Sequence, residues 1–246
     1  MPSIEIFPDP STLARVAIDL FVTLAQEAIQ ARGRFSAALS GGSTPQLVYA
    51  GLAEPDLQEK LQWEDIHLFF GDERHVLPDD PMSNFRMVQE HLFSKVALPE
   101  ENIHRLRTET DAITAAWDYE ETLRAFFNSA WPRFDLILLG MGSDGHTASL
   151  FPQTAALNEE HRWFIAHQVP SQLFWRLTLT KNAINAARQI IVLVSGESKA
   201  ATLADVFDGP YDPAQKPIQY VSPTDGDLLW LLDRDAASQL PTRKGR

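Results

Sequence analysis

Cysteine is absent from the 246 residues, which excludes disulfide bonds, thiolate metal sites and a cysteine nucleophile, and fits a reducing compartment. Surplus positive charge is missing as well. Lys and Arg total 21 against 33 Asp and Glu, a net charge of -12. No basic stripe or polybasic tail offsets it, so neither nucleic acid nor an anionic membrane is an expected partner. No apolar run approaches the length of a membrane span, and the opening MPSIEIFPDP has neither the basic nor the apolar segment of a secretory signal. A cytoplasmic location is expected. The seven histidines show no HExxH or comparable ligand spacing, so no metal or other cofactor is demanded. Asp72, Asp144 and His146 would form at best an incidental metal site.

What is present is enough apolar material for a real core, 44% of residues, at a length that favours one α/β domain over 1–246 to two small ones. Apolar runs of strand length alternate with stretches of helical period, with no repeat or low-complexity tract between them. Strands are expected at 4–7, 35–39, 66–70, 134–139, 163–167, 176–179, 190–194 and 228–232. Helices are expected at 11–31, 45–53, 84–95, 111–128 and 199–207, each with an apolar stripe and most behind a Ser, Thr, Asp or Asn cap. FDGPYDPAQKP reads as a proline-rich surface loop before the last strand. This rhythm implies βαβ units and a mostly parallel, Rossmann-like sheet with helices on both faces.

Four polar, glycine-bearing segments follow strands: SGGSTP after 35–39, GDERH after 66–70, GMGSDGH after 134–139 and SGESK after 190–194. In an open parallel sheet such segments share the carboxyl edge, where ligands bind, so the four are expected to converge on one cleft. Gly140, Gly142 and Gly145 have the spacing of a dinucleotide fingerprint. That fingerprint needs a helix running on from the third glycine and an acidic residue about twenty positions later, closing a second strand. Pro152 interrupts the helix at once, Glu159 and Glu160 precede an apolar run instead of ending one, and Asp144 is a poor neighbour for pyrophosphate. The glycines instead let the chain turn tightly so that Asp144 and His146 project together.

In ALSGGSTPQLVY, Gly41 and Gly42 permit a turn, Ser43 and Thr44 offer hydroxyls and a helix cap, and Pro45 suits the first helical position. Amides would then face an anion. The GK[ST] ending of a Walker A loop is missing, and a well-capped turn that binds nothing is an equal reading of this stretch alone. Lys199, in the second strand-to-helix turn, could reach the same anion, although a solvated side chain is the ordinary fate of a lysine. Two such turns in one chain favour a small phosphorylated ligand.

SGGSTP, FFGDERHV, SNFRM, GMGSDGHTASLFP, RLTLT, SGESKA and LLWLLDRDAA, in that order across nearly the whole chain, resemble the 6-phosphogluconolactonases of the glucosamine-6-phosphate isomerase/6-phosphogluconolactonase family. The resemblance implies a single NagB-like α/β domain that hydrolyses 6-phospho-D-glucono-1,5-lactone to 6-phosphogluconate in the pentose phosphate pathway. The related glucosamine-6-phosphate isomerases, or deaminases, share the first loop and the DGH turn. Their turn continues in a form like DGHIAFNEP, whose glutamate aligns with Phe151 here, so the departure is from the isomerase pattern. A sugar-phosphate sensor of the same fold is the non-enzymatic alternative. Sensors of this kind carry a DNA-binding segment, and these residues hold none.

Lactone hydrolysis needs an activated water, a stabiliser for the oxyanion and a grip on the substrate. His146 is the natural general base, because an imidazole titrates near neutrality, and Asp144 would orient it or favour its protonated form. Outside this turn, a structural or surface histidine would be the ordinary reading. Arg74 and the glycine-turn amides are candidates for the oxyanion, though Arg74 could equally pair with Asp72 or Glu73. Asp72 would bind sugar hydroxyls or a water, and its role stays open. For the phosphate, Arg176 and Lys199 supply charge and Ser43 and Thr44 hydroxyls. Arg86 is a weaker candidate that could simply cover the cleft rim.

Overall fold

LILLG, residues Leu136–Gly140, offers no polar face to water, and it lies in the interior of a parallel sheet, where such continuous runs belong. The computed structural model describes residues 3–241. Its strands are β1 (Ser3–Phe7), β2 (Phe35–Leu39), β3 (Ile66–Phe70), β4 (Asp72–Arg74), β5 (Leu136–Gly140), β6 (Phe164–His167), β7 (Arg176–Leu179), β8 (Gln189–Val194) and β9 (Asp227–Asp233). The helices are α1 (Pro10–Arg32), α2 (Ser43–Leu52), α3 (Pro55–Gln58), α4 (Asn84–His91), α5 (Ala112–Phe127), α6 (Lys181–Asn185) and α7 (Ala200–Asp208).

Six strands form one sheet in the order β1-β9-β8-β5-β2-β3, and every neighbouring pair is parallel. From β2 the chain moves outward to β3 and later returns to β5 on the other side of β2. The strand order therefore reverses between β2 and β5, and a crevice opens beyond their carboxyl ends. α1 shows how local chemistry sets the frame. Asp9 accepts from the Thr12 amide at 2.8 Å, Pro10 occupies the first turn, and Gly33 closes the helix in a left-handed conformation at φ 72°. Its inner face buries Leu13, Ala17 and Phe21, with Phe21 edge-on to Phe35 of β2 at 5.1 Å.

The mostly parallel α/β architecture holds, with one correction. The strands expected at 163–167 and 176–179 do not join the parallel sheet. They form β6 and β7 of a separate antiparallel sheet in the order β4-β7-β6. β4 was not foreseen, because three residues reading DER carry no strand periodicity; its partner β7 supplies the apolar pattern. The pairing sets Arg74 directly opposite Arg176. The helix expected over 84–95 stops at His91, since Leu92 leaves helical geometry at φ -131° and ψ -65°, and Phe93–Lys95 is a 3-10 turn. Likewise Lys199 ends a 3-10 turn, Glu197–Lys199, and α7 begins one residue later. Among the described residues no helix is long and apolar enough to cross a membrane.

Candidate active site

All four glycine-bearing loops open onto one cleft of about 290 Å³, with Thr44, Arg74, His146 and Lys199 each contributed by a different loop. The switch point between β2 and β5 brings SGGSTP and GMGSDGH together, and the small sheet adds the arginines.

In the GMGSDGH turn the Gly142 amide donates to the His146 carbonyl at 2.8 Å and the Gly145 amide to the Gly142 carbonyl at 3.1 Å. This folds Asp144 back on His146: its Oδ1 accepts from the His146 amide at 3.1 Å and lies 2.5 Å from the ring Nδ1. Burial pushes the Asp144 carboxyl up, but the hydrogen bonds from the ring and amide of His146, with the ring's charge, outweigh it and hold it at about 2. A carboxylate on Nδ1 fixes the tautomer and leaves Nε2 of the neutral ring as an acceptor. Among the described residues no hydrogen bond occupies that Nε2. Gly142 is required by close approach, since a Cβ there would collide with Nδ1 and Cε1 of His146. On another side the Phe151 ring stacks on the imidazole, centroids 4.2 Å apart at 24°.

The SGGSTP loop differs from its expected capping. α2 starts at Ser43 with Gly42 as its N-cap, and no side chain caps it. Thr44 instead places its hydroxyl 2.6 Å from the Ser195 hydroxyl, tying the first loop to SGESK. The amino end of α2 is therefore presented to the cleft without a capping oxygen, which suits an anion. Gly41 has no side chain because the Asn84 amide occupies that space.

Arg74 and Arg176 sit side by side on β4 and β7. Arg74 Nη1 donates to the Met82 carbonyl at 2.7 Å, and Arg176 Nη2 donates to Gln172 Oε1 at 2.6 Å. The Nε of each is buried without a partner, and among the described residues neither forms an ion pair with a carboxylate. Burial, followed by the Arg74 charge, pushes the Arg176 guanidinium below its ordinary value. The pairing of Arg74 with Asp72 or Glu73, considered from sequence, does not form, for a specific reason. Glu73 turns away and accepts the amides of Arg74, Asn84 and Phe85, each at 2.8 Å, so that it caps α4. Asp72 takes the Ser149 hydroxyl at 2.6 Å and lies 3.4 Å from the Asn84 amide nitrogen. These partners anchor Asp72 in the cleft wall. Two guanidiniums without a direct ion pair, together with Lys199, thus make a local cationic region, with Asp72 in its wall, in a chain of net charge -12.

Of the residues singled out from sequence, Gly41, Gly42, Ser43, Thr44, Asp72, Arg74, His146, Arg176 and Lys199 line the cleft, and Asp144 supports it through His146. Arg86 does not line it: its Nε donates to Glu90 at 2.8 Å and its Nη1 to the Asp79 carbonyl at 2.8 Å, along the outside of α4. The charge in SNFRM drew the eye to Arg86, whereas the buried Asn84 two residues earlier is the one that faces the cleft. Gln172, Ser195 and Phe151 also line it. Ser195 lay within a recognised loop. Gln172 sits in a loop between β6 and β7 with no spacing signal. No group of three or more His, Asp or Glu among the described residues is arranged to hold a metal ion.

Residues 8–230 match the family described as Glucosamine-6-phosphate isomerases/6-phosphogluconolactonase. A 6-phosphogluconolactonase of Nostoc sp. (strain PCC 7120) is 42% identical over 242 residues, covering 97% of this chain and 98% of that protein. The structure of 6-phosphogluconolactonase from Trypanosoma cruzi superposes with a TM-score of 0.86 at 31% identity, covering 98% of this chain and 97% of that one. A monomeric glucosamine-6-phosphate deaminase shares the fold at a TM-score of 0.80 and 21% identity, covering 96% of this chain and 99% of its own.

Proposed function

The chain belongs to the glucosamine-6-phosphate isomerase/6-phosphogluconolactonase family and hydrolyses 6-phospho-D-glucono-1,5-lactone, and from that premise we propose how its residues carry out the reaction. The observation that carries the proposal is the Asp144–His146 couple, 2.5 Å across, at the edge of a cleft holding Arg74, Arg176 and Lys199. Nε2 of His146 takes a proton from water as the water oxygen bonds to the lactone carbonyl carbon. Asp144 keeps the ring oriented and balances the imidazolium that forms. The carbonyl oxygen becomes an oxyanion, met by the Arg74 guanidinium; the Gly142, Gly145 and His146 amides, considered from sequence, are spent on bonds within the turn. When the tetrahedral intermediate collapses, the bond from the carbonyl carbon to the ring oxygen breaks, and His146 returns its proton to that oxygen as it becomes the 5-hydroxyl. Water is the only co-reactant and the base ends as it began.

Arg176, Lys199, the hydroxyls of Ser43 and Thr44, and the uncapped end of α2 hold the 6-phosphate. Arg176 suits this because its buried Nε lacks a protein partner. The absence of cysteine fits a cytoplasmic enzyme, and the net charge of -12 leaves no role for nucleic acid.

The relative that shares only the fold provides the competing chemistry. Purified protein should be incubated with freshly made 6-phosphogluconolactone and, separately, with glucosamine 6-phosphate, following acid and ammonia. Acid release well above the spontaneous rate and no ammonia is the expected result. Ammonia without accelerated acid release would overturn the assignment.

A further inference from the structure

We propose that Phe151 is a positioning residue for His146, fixing the plane of the imidazole; the catalytic consequence rests on the general-base reading above. Phe151 is 5% exposed, yet it stands outside the continuous apolar core. Its ring faces polar groups of the cleft. The His146 ring stacks on it at 4.2 Å, and Cζ of Arg176 lies 5.4 Å from its centroid. A phenylalanine serving only as filler would be expected among the aliphatic residues of the core.

The geometry gives the stack a task that the hydrogen bond cannot perform. The bond from Nδ1 to Asp144 fixes one point of the imidazole but permits rocking about the Nδ1–Oδ1 line. A flat ring stacked at 24° removes that freedom, and the bare Gly142 backbone closes the space beside Nδ1 and Cε1. Nε2 is then held in one direction, which a proton transfer from water requires.

The backbone around Phe151 is constrained in a manner consistent with a fixed placement. Ala148 at φ 47° and Gln153 at φ 58° are left-handed non-glycine residues on either side of it, a conformation that persists only where surroundings enforce it. Those surroundings are visible. The Leu150 amide donates to the Thr147 carbonyl at 2.9 Å, the Thr154 hydroxyl to the Phe151 carbonyl at 2.8 Å, and the Gln153 amide to the Ala214 carbonyl at 2.9 Å.

The test uses the full chain with Phe151→Leu, Phe151→Tyr and, should the leucine variant fail to fold, Phe151→Met. Two readouts are needed. The first is the mobility of the His146 ring followed by side-chain NMR relaxation, which reports on the imidazole whether or not it is the base. Phe151→Leu should lower the order of the ring, as loss of the stacked face implies, and Phe151→Tyr should leave it near wild type. The second is turnover: Phe151→Leu should lower kcat by about 10-fold or more, Phe151→Tyr should recover most of it, and Phe151→Leu should cost nothing further in a His146→Asn background. An unchanged ring order in a folded leucine variant, or a loss that adds fully to that of His146→Asn, would overturn the proposal. Failure of the general-base reading would show separately, as near-normal turnover in His146→Asn alone.

Discussion

His146→Asn should lower kcat for 6-phosphogluconolactone by about 10²-fold or more, with a much smaller change in KM, because it removes an interaction made only as water attacks. Asparagine has similar size and polarity but no nitrogen able to take and return a proton. The fold should tolerate the change. His146 is partly exposed, its side chain retaining 31% of its accessible surface; its amide donates to the Asp144 carboxylate and its carbonyl accepts from the Gly142 amide, and both bonds survive substitution. Circular dichroism and thermal unfolding close to wild type would certify the comparison. Near-normal turnover in such a variant would remove His146 from the mechanism.

Arg176→Ala should weaken use of the phosphorylated lactone far more than use of unphosphorylated gluconolactone. A charge-assisted contact to phosphate is worth roughly 1.5–3 kcal/mol, so kcat/KM for the phosphorylated substrate should fall roughly 10- to 100-fold. Lys199→Ala should act in the same direction. The structure favours Arg176 as the stronger effect: its guanidinium is buried beside Arg74 with an unpartnered Nε, and the charge repulsion there is relieved by a bound dianion. Equal losses on the two substrates would mean that these cations do not hold the phosphate.

The parts of this site that could be read from the sequence share a physical origin. Loops that follow buried parallel strands are forced to one edge of the sheet, so four glycine-bearing segments implied one cleft before any contact was known. The close placement of Asp144 and His146 was readable for a local reason, two positions apart in a tight turn. What could not be read depends on long-range pairing. Arg74 meets Arg176 because a three-residue strand pairs with β7 about a hundred residues away in sequence, a distance that propensity does not report. Glu73 left Arg74 unpaired by capping α4, and Thr44 abandoned its expected cap for Ser195; both reflect competition among partners that only the assembled chain decides. Arg86 illustrates the opposite error, where charge drew attention to a residue on the outward face of a helix.

The claim that one imidazole, oriented by Asp144, activates the water is tested most directly by the pH dependence of kcat, at saturating substrate so that ionisation of the free phosphate does not enter, in wild type and His146→Asn, with the spontaneous rate subtracted at each pH. Because the Asp144 carboxyl is held at about 2, it stays charged wherever the enzyme can be assayed and adds no limb of its own. Protonation of the base removes its ability to accept from water, so wild-type kcat should fall on the acid side. In His146→Asn that limb should vanish, leaving a low, flat profile. A variant that retains the same acid limb, at whatever rate, would contradict the account and place the titrating base elsewhere in the cleft.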